Sequence, residues 1–539
     1  MKRHQAALAI AVAATCAAPA HAQESVDWEM VTRIRLEGLR HSEVMDTLRH
    51  LTDEIGPRLT GSPSMHEANA WTQRQLESWG LQNSHIEPWG PSGRGWSFSR
   101  TAVHLIAPRP MPLSALPAAW SPGTRGAVRG PVFYVKLETA EDLDASKGRL
   151  AGLILLLDEA RPLGPGDEAP IQRDSAEDLR DIETYAIPGP DQQNRRARYR
   201  ERWMKTQRLR AYLVEENVAA TIAISSRDAG VVRVTHAGGG PDDDKPSVPA
   251  IVMAAEHYNQ LFRLVEGQLP PGDASAAPES PVEVEIEVEA RFHDDATTAN
   301  TIAEIPGHEG GAGVVMVGAH LDSWHAGTGS NDNAAGCAVA MEAVRILQAL
   351  GVRPRRTIRI ALWSGEEQGL LGSSAYVAEH FATQELNESE EQRALPARLR
   401  DRVGRPAPKP DHAGLSAYFN VDNGSGRIRG IYAQENAGVV PIFEAWLRPF
   451  HDLGADTVTM RNTHSTDHIP FDAVGLPGFQ FIQDDLDYTS RTHHTHLDVY
   501  DYAHREDLMQ ASVVMASFLY HAAIRDERLP RKPIPEPSR

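Results

Sequence analysis

The chain has almost no cysteine: Cys16 and Cys337 are the only two in 539 residues. A disulfide framework is therefore excluded, and stability must come from a packed core. A basic surplus is also missing. Asp and Glu number 73 against 54 Lys and Arg, for a formal charge of -19, which argues against a nucleic-acid partner. The one cluster of opposite sign, eight Arg or Lys between Arg195 and Arg210, reads as a solvated helix in an acidic protein rather than a nucleic-acid patch. Beyond the first 22 residues there is no apolar run of 18, so no integral membrane segment is expected in the mature chain. Internal repeats are absent too. What remains is ordinary globular composition, 41% hydrophobic and 24% charged. The length fits two or more domains, or one large domain carrying an insertion.

The first 22 residues have the pattern of an export signal. Lys2 and Arg3 form a charged start, Ala6 to Ala18 an apolar stretch of small residues, and Ala20-His21-Ala22 a small-x-small cleavage site. The stretch is short for a membrane anchor, and Ala13-Ala14-Thr15 makes Cys16 a poor lipidation site. Cleavage leaves Cys337 as the single cysteine. The expected product is exported, to a periplasm or to the extracellular medium.

Residues 23–114 begin with helical periodicity: Val31, Ile34, Leu36 and Leu39, then Val44, Leu48 and Leu51. A Gly/Pro loop, Gly56-Pro57-Arg58-Leu59-Thr60-Gly61-Ser62, precedes a second helix from Met65 to Trp79, and 97–107 reads as a strand. Over 115–289 the texture changes to short apolar runs between turns, as in Gly152 to Leu157, 248–252 and 282–288. This segment is expected to form an inserted, β-rich domain. Residues 290–528 return to an α/β pattern, with strands at 314–317, 357–363, 415–421 and 478–482 and helices at 334–350, 373–381 and 508–524. Within them, 383–411 reads as a surface insertion. The Pro-bearing tail, 529–539, is expected to be disordered.

The chemistry-bearing residues fall at strand ends. His320 and Asp322 follow the first of those strands, Glu366 and Glu367 the second, Asp422 the third, and His494 lies in the loop after the fourth. Ligands of open α/β sheets bind outside the carboxyl ends of the strands. Four strand ends thus deliver carboxylates and imidazoles to one edge, a donor set suited to zinc without thiolate. Each residue alone has an ordinary explanation: a packed histidine, a solvated Glu-Glu pair, Asp332 as a helix cap, or a surface cluster at His493, His494 and His496. The joint spacing is what stands out.

Gly318-Ala319-His320-Leu321-Asp322-Ser323, then Asp332-Asn333 before a helix, then Gly365-Glu366-Glu367-Gln368-Gly369-Leu370-Leu371-Gly372-Ser373, resemble the motifs of the co-catalytic dizinc exopeptidases. That family holds leucyl-type aminopeptidases and glutamate carboxypeptidases, and the likeness is strongest to its carboxypeptidase Q subgroup. Arg353-Pro354-Arg355-Arg356-Thr357 and His493-His494-Thr495-His496 contribute to it, as do the 56–62 and 300–307 segments. The resemblance implies a mixed-sheet α/β/α sandwich of the phosphorylase/hydrolase-like kind, with a protease-associated-like domain at 115–289. It implies two zinc ions per chain, bridged by Asp332. His320 and Asp422 would hold one ion, Glu367 and His494 the other. Glu366 would be the general base, and Asp322 would orient the His320 imidazole. His494 is preferred to its neighbours because it precedes Asp498 by four residues.

The implied activity is removal of a terminal residue from short peptides, as an aminopeptidase or dipeptidase. A carboxypeptidase is the alternative on the same site. A single-zinc glutaminyl cyclase and a non-catalytic receptor-like scaffold are more distant alternatives; the acidic bridge Asp332 and the complete donor set argue against them. Asp484, Asp485 and Asp487 are candidates for holding a substrate amine. His325 stands where the subgroup carries an acidic residue, so altered pocket electrostatics are expected. A homodimer is a further possible assembly.

Overall fold

The computed structural model describes residues 24–536 except 92, 165–170, 188–194, 238, 242, 269, 271–281 and 295–296. The export signal at 1–22 and Cys16 lie outside the described residues. The fold is α/β and carries two eight-stranded mixed sheets.

The first sheet runs in the order Gln82–Pro91, Thr297–Ile305, Thr357–Trp363, Val314–His320, Leu415–Asn420, Gly478–Gln483, Ile428–Tyr432, Thr457–Thr459. Its four central strands, from Thr357–Trp363 to Gly478–Gln483, are mutually parallel. Both faces are covered. Val315, Val317 and Ala319 enter the core formed with helices Ala335–Ala349 and Arg505–Ile524, whereas Met316 packs on the other side with Trp363, Tyr376, Tyr418 and Phe471. Burial on both faces is why this strand is apolar throughout rather than alternating. Helices Trp28–Arg40 and Pro63–Ser78 lie on the first of these faces. Ser62 caps the second helix by accepting the Met65 amide N–H at 3.2 Å.

The second sheet spans residues 95–293. Its order is Met111–Pro112, Gly95–Ala107, Glu283–His293, Val128–Tyr134, Ile154–Leu156, Ala220–Ile224, Ala250–Met253, Ala115–Pro117. The strand from Gly95 therefore lies in this sheet, antiparallel to Glu283–His293, and not with the helices that precede it. The long basic helix is Arg195–Glu215. Arg200 pairs with Asp401 and donates to the Leu399 carbonyl at 2.7 Å. The helix thus ties the second sheet to the 383–411 insertion, a ribbon of Ala382–Leu386 and Arg402–Pro408.

The tail differs from expectation. Residues 529–536 lie against the fold: Leu529 is buried, Pro530 accepts from Asn436 at 2.8 Å, and Lys532 pairs with Asp472 at 2.6 Å. Polar anchors hold a segment whose composition alone reads as loose.

Candidate functional site

The carboxyl ends of the parallel strands form one edge, and the loops leaving them converge there. His320 is the last residue of its strand and is buried. Its Nε2 lies 3.2 Å from Asp422 Oδ1 and 3.4 Å from Asp332 Oδ1. The other oxygen of Asp332 lies 3.2 Å from His494 Nε2, which is 3.0 Å from Glu367 Oε2. The two Asp332 oxygens thus face two separate donor pairs, His320 with Asp422 and His494 with Glu367. His493 Nε2 stands farther off, 4.0 Å from Asp332 Oδ2. Glu366 Oε2 is 4.0 Å from His320 Nε2. The structure brings together all six residues that the sequence offered as ligands and base.

Local geometry explains the convergence. Helix Ala335–Ala349 starts against the strand that leads to Asp422, with Asn333 donating to the Val421 carbonyl at 3.0 Å. A Cβ on Gly336 would stand 2.5 Å from that carbonyl oxygen, so only glycine permits the approach. The turn carrying Glu366 and Glu367 opens at Gly365, whose φ of +74° favours glycine.

Asp322 behaves differently from the expected role. Its backbone carbonyl, not its carboxylate, accepts from His320 Nδ1 at 2.9 Å. The carboxylate stands 3.8 Å from that nitrogen. It accepts instead from the Glu366 and Glu367 amides at 3.2 and 3.3 Å and from the Thr60 hydroxyl at 3.0 Å. Asp322 therefore fixes the loop that presents the two glutamates.

The electrostatics are those of a desolvated anionic cluster. Burial pushes the Glu366 carboxyl well above the usual range, and Asp422, Asp467 and Glu367 add to this against the opposing pull of His320. Burial and Asp332 raise Glu367 to about 7. Burial would lower His494, but Glu367 and Asp332 outweigh it and lift the ring to about 9. Burial would likewise raise Asp332, yet its bonds to His320 and His494 hold it well below the carboxylate range. Glu367 Oε1 is buried without a hydrogen-bond donor. Such clustered carboxylates are stable only beside cations, and the set of two imidazoles and three carboxylates fits divalent metal ions.

Several contributors escape a sequence reading. Arg58 is fully buried and donates to the carbonyls of Leu321, Leu51, Gly56, Thr328 and Gly329 at 2.7–3.1 Å. It ties the end of the His320 strand to the turn that leads to Asp332. Asp498 accepts the amides of Asn331 and Asp332 at 2.6 and 3.2 Å. Arg233, from the loop that follows strand Ala220–Ile224 of the second sheet, donates to His494 Nδ1 at 3.0 Å. The Gly-Pro-Arg-Leu-Thr-Gly-Ser run and the Asp498 spacing were the available signals for the first two; Arg233 had none.

Other candidates resolve into structure. Asp484 is buried and paired with Arg173 at 2.8 Å and Arg429 at 2.7 Å, so it has no capacity left for a substrate amine. His325 is buried against Trp96 and Phe98, donates to the Pro117 carbonyl at 2.8 Å, and is pushed down to about 4 by burial. It is packing, not pocket. Cys337 lies buried in its helix and donates to the His320 carbonyl at 3.0 Å. Asp467 is buried and accepts from Ser373 at 2.5 Å. Arg398, from the 383–411 insertion, packs over Gly369 next to the glutamate turn.

Comparison with known proteins agrees with the motifs. Residues 300–519 match the model of Peptidase family M28. Carboxypeptidase Q of Mus musculus is 23% identical over 502 residues, 93% of this chain and 90% of that protein. Among solved structures, a Peptidase M28 precursor from Shewanella amazonensis SB2B is 22% identical, with 94% of this chain and 98% of that chain covered and a TM-score of 0.64. A zinc aminopeptidase from Bacillus subtilis is 18% identical, with 90% and 95% covered and a TM-score of 0.54. The resemblance read from the sequence is borne out, and these structures share the fold.

Proposed function

We propose that this chain is an exported dizinc exopeptidase that hydrolyses the terminal peptide bond of short peptides. The observation that carries the reading is the division of Asp332: one carboxylate oxygen toward His320 and Asp422, the other toward His494 and Glu367. The match of residues 300–519 to a peptidase family supports it, and residues 1–22 read as the export signal.

His320 and Asp422 would hold one zinc ion, His494 and Glu367 the other, and Asp332 would bridge them. Bound there, the ions supply Lewis acidity toward the scissile carbonyl and acidify a water. Glu366 accepts the proton of the attacking water and returns it to the leaving amine. Asp322 holds the Glu366 backbone in register. Asp498 and Arg58 fix the chain around Asp332.

The test combines metal content with product analysis. The purified chain should carry two zinc ions and release terminal residues from short peptides, read by mass spectrometry. One ion with cyclisation of amino-terminal glutamine would replace this reading with the cyclase. No ion and no turnover would replace it with a binding scaffold.

A further inference from the structure

Side chains of strand Ala220–Ile224 alternate across the second sheet. Ile222 enters the core that holds Tyr258 and Leu261 of helix Ala255–Val265. Thr221 and Ala223 face the other side, where helix Arg195–Glu215 lies, and the neighbouring strand adds Ala250 there. These are short side chains under a helix, and a helix free to move would settle onto them. This one is held at both ends. Toward its carboxyl end Leu213 shares a core with Leu155 of strand Ile154–Leu156. Toward its amino end Arg200 pairs with Asp401 and donates to the Leu399 carbonyl at 2.7 Å. Between the two anchors a cavity of about 140 Å³ remains.

Leu209 and Leu213 line the cavity from the helix, Leu157 and Val248 from the loops beside it. Leu157, Leu209 and Val248 are only half-buried, although they belong to the core between helix and sheet. Thr235 and His236 also line the cavity and are exposed, which places the opening there. The polar groups of the wall are already engaged. The Arg210 guanidinium pairs with Asp243 at 2.5 Å and donates to the carbonyls of Pro246 and Lys245. The Thr206 hydroxyl donates to the Arg202 carbonyl at 2.9 Å. A charged ligand inside would be desolvated without a partner. Water fares poorly for the same reason, since an ordered water needs two or more polar partners. An apolar cavity of about 150 Å³ stays dry and takes a molecule the size of benzene.

We propose that this cavity is a binding site for a small uncharged apolar group, aromatic or branched aliphatic and the size of a leucine or phenylalanine side chain, which enters past Thr235 and His236. Shape and apolar contact carry the recognition. The site is separate from the peptidase reading, because none of the proposed metal ligands and neither Glu366 nor Asp322 lines the cavity. The same chemistry is found in a free small molecule and in an apolar side chain of a peptide.

Indole, benzoate and N-acetylphenylalanine amide are titrated calorimetrically into the purified full chain, as wild type, Ala223→Leu and Leu209→Phe. Wild type should bind indole with a Kd of about 1 mM or tighter, and benzoate about tenfold more weakly or not at all. Both substitutions add carbon to the cavity from opposite walls, and each should weaken indole about tenfold. Thermal unfolding shows which variants are folded; if Ala223→Leu is not, Leu209→Phe carries the comparison, because a helix surface yields to added volume more easily than a central strand. Absence of indole binding by wild type overturns the proposal. So does an indole affinity unchanged in the folded variants, or benzoate bound as tightly as indole. Binding of N-acetylphenylalanine amide that the same variants weaken supports the site and extends it to peptide side chains. Binding of indole alone supports it as a site for free small molecules.

Discussion

The carboxylate of Asp498 accepts the backbone N–H of Asp332 at 3.2 Å. The residue proposed to bridge two metal ions is thus held from behind by another acid, which burial and Asp332 itself raise to about 7. Asp498→Ala removes acceptors from two buried amides and should cost about 2–3 kcal/mol of stability. It should also weaken zinc binding about tenfold to a hundredfold. Denaturant unfolding and a zinc titration check the two effects separately.

Glu366→Gln keeps the shape of the base and removes its proton-accepting oxygen. Both zinc ions should remain, with turnover reduced by about 10²–10⁴. Metal analysis beside a peptide assay reads this; near-normal turnover removes Glu366 from the role.

Asp332→Asn should lower zinc occupancy, because an amide cannot share anionic charge between the His320 and His494 sides. An unchanged zinc content would contradict the bridging assignment.

The sign of the pH dependence follows from the raised groups. Glu367, at about 7 in the folded metal-free chain, favours folding below its ordinary carboxylate range and loses that contribution as pH rises toward 7. His494, lifted to about 9, contributes fully below its unfolded value and loses the contribution as pH rises through 9. Both act in one direction, so the metal-free chain should lose stability between pH 6 and pH 9. Zinc should restore more of the melting temperature at pH 8.5 than at pH 6, measured with and without chelator.

Arg58→Met should be among the most damaging substitutions away from the proposed ligands. It leaves buried carbonyls of five residues without their shared donor, at a cost of about 3 kcal/mol or more. Unfolding in urea gives the magnitude.

The proposed ligand set was legible from two things together: parallel strands point their carboxyl ends the same way, so residues just past them meet, and the motifs around those residues resemble a known family, which implied each role. His320, Glu367 and Asp422 each follow a strand that the apolar pattern marks. What could not be read depends on partners distant in the chain. Arg58 meets Leu321, and Arg233 meets His494, only after two sheets are assembled. Strand Gly95–Ala107 was recognisable as a strand, but its partner at Glu283–His293 is nearly two hundred residues away, so its sheet was not. Asp322 was correctly placed beside the site, yet which of its oxygens would face His320 is a matter of backbone direction that spacing does not encode. The tail shows the reverse error, since polar composition conceals the anchors at Pro530 and Lys532.

The pairing of Arg233 with Thr495, and of Val234 with His494, makes the connection between strands Ala220–Ile224 and Ala250–Met253 of the second sheet a structural wall of the site rather than an appendage beside it. A shortened chain cut to the family-matching stretch would keep every residue proposed to bind metal. It would leave the backbone of the His494 loop without its partner segment at 232–234 and expose that loop to solvent. Nicking within 225–236 and truncation to that stretch are therefore expected to have the same effect, loosening the loop that bears His494 while leaving the other proposed ligands in place.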